Sequence, residues 1–111
     1  MIYFKIKLQV MKSVHFHNQF LINIGESVEI SEGKLLVTLK NVSRLMVPKK
    51  GDQFILVLNL DWEGKSEDIG IDGAFRFSNP SVERDWQKFR IQIHDIDMMA
   101  KFVIISIRKL E

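Results

Sequence analysis

The sequence predicts an all-β fold, an antiparallel β-sandwich of seven or eight strands forming one domain over 1–111. Three observations carry this. Apolar residues recur at every second position, as in Ile2, Phe4, Ile6, Leu8 and Val10 with Tyr3, Lys5, Lys7 and Gln9 between them. Successive strand side chains point to opposite faces, so this period buries one face of a strand. Turn-forming clusters divide the alternating runs at intervals of about 10–15 residues, the spacing of sandwiches and barrels. No stretch of helix length carries the helical period of about 3.6 residues.

The elements follow in order. Residues 2–10 read as a first strand. Val14, Phe16, Phe20, Ile22 and Ile24 continue the alternation, with Asn18 as the exception, until Gly25-Glu26-Ser27 stops it. A short strand at 28–30 leads to a turn at Ser31-Glu32-Gly33. Leu35, Val37 and Leu39 then resume the alternation as far as Val42. Pro48-Lys49-Lys50-Gly51-Asp52 is a turn, because proline presets φ at one corner and glycine admits positive φ at another.

Residues 53–60 contain Phe54, Ile55, Leu56, Val57 and Leu58 in succession. A strand apolar on both faces is expected at the centre of its sheet, covered on both sides. The acidic stretch 61–70 reads as a loop. Ile71, Ala74, Phe75 and Phe77 form a further strand, weakened by Gly73. Asn79 as a cap, Pro80 at the first helical position, and Glu83 and Asp85 near the positive end predict one short helix near 80–86. Phe89, Ile91 and Ile93 alternate with Lys88, Arg90 and Gln92. Residues 95–100 form a hairpin loop before a last apolar strand at 102–107.

Composition narrows the function classes. The chain has 111 residues, enough for one core without staples. Its 46% hydrophobic and 27% charged content excludes a disordered or low-complexity chain. Cysteine is absent, which excludes disulfides, thiolate zinc sites and a cysteine nucleophile. The formal charge of +2 comes from interspersed signs, so no polyanion-binding stripe is evident. No run of roughly 20 apolar residues exists to span a bilayer. Lys5 and Lys7 interrupt what would be the apolar core of a signal peptide, so a cytoplasmic location is expected.

Several clusters are candidates for chemistry. His15 and His17, two apart on a strand, would share a face and form part of a metal site if His94, Asp95 or Asp97 supplied a third ligand. Asp61, Glu63 and Asp68 in the acidic loop, with Asp95 and Asp97 in the last hairpin, would suit a calcium site like that of C2 domains. Hard cations take six to eight oxygen ligands. Glu67 and Asp72 belong to the same acidic stretch. Trp86, Lys88 and Arg90 on one strand face would suit stacking and phosphate neutralisation by a single-stranded nucleic-acid binder. Met98 and Met99 in a hairpin loop, and Leu45 and Met46 before Pro48, are apolar residues at positions expected to be exposed, and so candidates for a protein interface. No local signature marks a catalytic nucleophile, a phosphate loop or a dinucleotide fold, and no cofactor is implied.

Phe20-Leu21-Ile22-Asn23-Ile24-Gly25-Glu26-Ser27-Val28-Glu29-Ile30, followed by Gly33-Lys34-Leu35-Leu36-Val37-Thr38-Leu39-Lys40-Asn41-Val42, resembles the opening of a group of small bacterial β-sandwich domains of unknown function. Those domains continue with an Asp-Ser-Arg-Cys-Pro segment and a second cysteine near Trp-Ala-Gly. Here the corresponding place reads Ser43-Arg44-Leu45-Met46-Val47-Pro48, without cysteine. The resemblance covers about a quarter of the chain. It implies the sandwich and carries no function with it. The expectation is a non-catalytic protein-binding or assembly module, with self-association through a strand edge as one form.

Overall fold

The computed structural model describes residues 12–49, 51–74 and 82–110. Over them the alternation becomes nine strands: β1 (Lys12–Val14), β2 (Phe20–Asn23), β3 (Ser27–Ile30), β4 (Leu35–Val47), β5 (Gly51–Trp62), β6 (Lys65–Ala74), β7 (Val82–Trp86), β8 (Phe89–Asp97) and β9 (Phe102–Lys109). They form two sheets, ordered β1-β3-β4-β5-β6 and β2-β9-β8-β7. Every described pairing is antiparallel except β1 with β3, which is parallel. No helix among the described residues is long and apolar enough to cross a membrane. The predicted strand at 2–10 lies outside the described residues, as do Phe75, Phe77 and Pro80.

The core forms where the inward positions of the two sheets meet. Leu35, Val37, Leu39, Leu56, Leu58 and Leu60 from one sheet are fully buried, as are Ile91, Val103 and Ile105 from the other. The chain crosses between sheets at Ile24–Gly25, where the Gly25 N–H donates to Leu39 O at 2.8 Å. Gly25 takes φ 84, which a side chain would strain. The long β4–β5 hairpin changes register at Lys40, between the Leu39–Leu58 and Asn41–Val57 pairs. This bulge keeps Val42 on the same buried face as Leu39.

Three predicted elements differ from the structure. The run from Val14 to Ile24 is split into β1 and β2, which lie in different sheets. His17 takes φ 73 and its N–H donates to Ile107 O at 2.9 Å, so the chain turns instead of continuing. The acidic stretch after Asp61 is a tight hairpin. Glu63 (φ 50) and Gly64 (φ 81) are both left-handed, as a type I′ turn requires, and Ile69 and Ile71 face inward while Asp68 and Asp72 face out. Residues 82–86, expected in a short helix, are strand β7. The acids that read as helix-start residues pair across the sheet instead: Arg90 Nε donates to Asp85 at 2.7 Å and Gln92 to Glu83 at 2.7 Å.

The sheet edges are guarded. The Lys12 ammonium donates to Leu21 O on edge strand β2 at 2.6 Å, and Arg84 donates to Gly70 O on edge strand β6 at 2.6 Å. Edge strand β7 carries Glu83, Arg84 and Asp85 in succession, and edge strand β1 has three residues. Charge, capping and shortness are the usual defences against edge-to-edge pairing.

Candidate functional site

Two surfaces remain once the core is built: the outer face of β5, and the mouth between the sheets at the end where β5 stops and β8 begins. On β5, Phe54, Leu56, Leu58 and Leu60 are fully buried. The opposite face is open, with Ile55 39% exposed and Val57 half-buried. The register puts Ser43 opposite Ile55 and Leu45 opposite Gln53, so Leu45, 41% exposed, is a diagonal neighbour of Ile55. Among the described residues, the predicted cover on both sides of β5 is thus present on one side only.

The mouth is assembled from four turns. Phe16 comes from the β1–β2 turn, Gly33 from β3–β4, Trp62 from the start of β5–β6 and Phe89 from the end of β7–β8. Trp62 meets Phe89 edge to face, with ring centroids 5.2 Å apart, and Phe16 lies 6.1 Å from Phe89 on centroids. Gly33 permits this approach. A Cβ there would stand 2.9 Å from Phe16 Cζ and 3.1 Å from Phe89 Cε1. The rings floor a hollow of about 220 Å3 whose rim includes Glu32, Glu63, Lys88 and Lys109. The Lys65 and Lys88 ammonium groups each lie 5.8 Å from the Trp62 ring centroid, within cation–π range.

The predicted metal ligands do not converge. Among the described residues, no group of three or more His, Asp or Glu side chains is placed to hold an ion. Asp61 and Glu63 sit beside Trp62, which touches Phe89. Asp95 and Asp97 lie at the far end of β8, roughly 25 Å along the strand at about 3.3 Å per residue. Their oxygens serve local turns, accepting the Ile96 and Ala100 N–H groups at 2.8 Å each. Asp68 accepts from the Asn59 amide at 2.8 Å. His15 and His17 occupy a turn, not one strand face. His15 Nδ1 lies 3.3 Å from Glu32, while His94 pairs with Ser106 Oγ at 2.7 Å.

Trp86, Lys88 and Arg90 do not share a face either. Trp86 is buried, with its indole N–H donating to Glu67 at 2.8 Å. Lys88 lies in the following turn, and Arg90 is held by Asp85 and Glu83. Of the interface candidates, Met98 is half-buried against the core and Met99 is 94% exposed. Met46 is 69% exposed and points to the opposite face from Leu45. Trp62, Phe16 and Gly33 were no part of any sequence-level site, because what joins them is turn geometry.

Three carboxyl groups are held below their ordinary range. Asp52 is lowered by its hydrogen bond from Arg44 and Asp85 by that from Arg90. Glu32 is lowered chiefly by the Phe16 N–H, which donates to it at 2.9 Å. None of these groups is aimed at a nucleophile, so they read as structural anchors. No protein-family model, curated protein or solved structure matches this chain.

Proposed function

We propose that the protein is a non-catalytic assembly module whose partner is a second copy of itself, joined through the outer face of β4 and β5. The observation that carries the proposal is a central strand apolar on both faces, with only one face covered by the described residues. Contiguous exposed apolar side chains commonly mark association surfaces. The side chains facing outward over this patch are Asn41, Ser43 and Leu45 on β4 and Gln53, Ile55 and Val57 on β5. All are uncharged. A two-fold dimer brings each patch onto itself, so these six side chains avoid like-charge repulsion, with Asp72 of β6 bordering them beside Ile55. The guarded edges favour pairing by sheet face over pairing by strand edge, and Leu45 thereby joins the surface while Met46 does not.

The test is mass in solution by light scattering over a concentration series. The unmodified chain is expected to approach twice its 13.0 kDa. The double variant Ile55→Lys with Leu45→Lys is expected to stay monomeric with an unchanged melting temperature. Lysine is chosen because Ile55 pairs across the sheet with Asp72, where an aspartate would meet a like charge. A chain that remains monomeric at every concentration, or a variant that still dimerises, overturns the proposal.

A further inference from the structure

The mouth at Trp62 offers recognition chemistry that sheet packing alone does not require. We propose that the hollow floored by Phe16, Phe89 and Trp62 binds a small aromatic carboxylate, its ring on that floor and its anionic group between Lys88 and Lys109. This site is separate from the outer face of β5 and does not depend on dimerisation.

Size limits the ligand first. About 220 Å3 exceeds the ~150 Å3 cavity that admits benzene, and falls short of the ~300 Å3 at which drug-sized sites begin. The hollow is half-open and adjoins the depression that shares Lys88 and Lys109, so this volume describes the part of a ligand it encloses, one ring, with an acidic substituent at the rim. The shape of the floor suits a ring as well. Trp62 stands edge to face on Phe89 at an interplanar angle of 87°, so the two present a corner of ring face and ring edge. A third ring prefers offset or edge-on contact of this kind to a flat sandwich.

Charge limits it next. Lys88 and Lys109 line both this hollow and a shallower depression of about 560 Å3 beside it, and the Lys88 ammonium lies 5.8 Å from the Trp62 ring centroid. Lys109 is held there by its register opposite Phe89. Lys65 also lies over the Trp62 ring but does not line the hollow. Against Lys88 and Lys109 stand Glu32 and Glu63. The Glu32 oxygens are engaged on the β1–β2 turn, one by the Phe16 N–H and the other by His15 at 3.3 Å. The lining thus balances two lysines against two carboxylates. It matches a monoanion better than a polyphosphate or a nucleic-acid strand, whose affinity grows with the number of phosphates neutralised.

The experiment uses phenylacetate as the probe, with phenylacetamide and acetate as its uncharged and ringless counterparts, and follows the indole N–H signals by NMR. The chain has two tryptophans, and Trp62→Phe assigns the pair. Phenylacetate is expected to shift the Trp62 signal more than that of Trp86, which pairs with Phe89 across β7 and β8 behind the floor and is tied to Glu67. Phenylacetamide and acetate are each expected to bind at least about tenfold more weakly, the equivalent of one modest charge contact. Lys88→Gln with Lys109→Gln should reduce phenylacetate to the level of the amide. The proposal is overturned if phenylacetate leaves the Trp62 signal unmoved, if acid and amide bind alike, or if Trp86 shifts as much as Trp62. Should the double variant fail to fold, the acid–amide comparison on the unmodified chain decides.

Discussion

On its inner face β5 seals Phe54, Leu56, Leu58 and Leu60 between the sheets, whereas on its outer face Ile55 and Val57 stand against solvent with Leu45 beside them. The residues on the two faces are chemically alike. What separates them is the second sheet, which reaches only one side. β5 shows how a buried strand and a docking surface can have the same composition, and why an apolar residue's role depends on what lies within about 4 Å of it.

The largest way to probe this contrast is to truncate one side chain on each face. Leu58→Ala is expected to cost about 2–5 kcal/mol in denaturant unfolding, because a fully buried leucine leaves a cavity. Ile55→Ala should cost the monomer no more than about 1 kcal/mol, since part of its surface is already hydrated. Equal costs would show that the outer face is covered within the monomer and would remove the ground for a docking surface there.

Next comes the mouth. Gly33→Ala places a methyl group 2.9 Å from Phe16 and 3.1 Å from Phe89. It is expected to cost about 1–3 kcal/mol as the rings are forced apart. A variant as stable as the parent would mean that the floor shifts freely and provides no fixed platform.

A smaller contrast lies within one loop. Met98 packs on the core and its neighbour Met99 is exposed. Met98→Asp is expected to lower stability by about 1–2 kcal/mol, while Met99→Asp stays within about 0.5 kcal/mol. Thermal melts of the two variants separate them. Similar losses in both would give Met99 a packing role that its exposure denies.

The smallest effect is electrostatic. The Glu32 carboxyl is held below its ordinary value of 4.5 by the Phe16 N–H. A carboxyl with a depressed folded-state pKa adds stability that is present above its unfolded pKa and lost as pH falls through the folded one. Glu32→Gln should therefore melt below the parent at neutral pH, with the gap closing as the pH falls below the ordinary carboxylate range. A gap that is constant with pH would show that the hydrogen bond owes nothing to the charge of Glu32.

Much of the fold was legible in the residues. The alternation of Leu35, Val37 and Leu39 and of Phe89, Ile91 and Ile93 gave strands with their buried faces correctly assigned, and the apolar run at 102–107 gave the last strand. The hairpin after Asp61 was less legible. β6 buries only Ile69 and Ile71 within an otherwise exposed run, so its period is almost silent. The turn at His15–His17 left no signal, because no glycine or proline marks it. His17 is driven into its left-handed backbone by a hydrogen bond to Ile107, 90 residues along the chain.

By itself, the sequence determined that this is an all-β chain, where most strands run and which side of each is apolar, because strand periodicity is a local property of the polypeptide. Only the tertiary structure decided which apolar faces meet and which stay open. It also decided that the candidate acids lie at opposite ends, and that Phe16, Gly33, Trp62 and Phe89 come together from four separate turns. Those outcomes depend on sheet order and register, which are set by contacts between residues far apart in the chain.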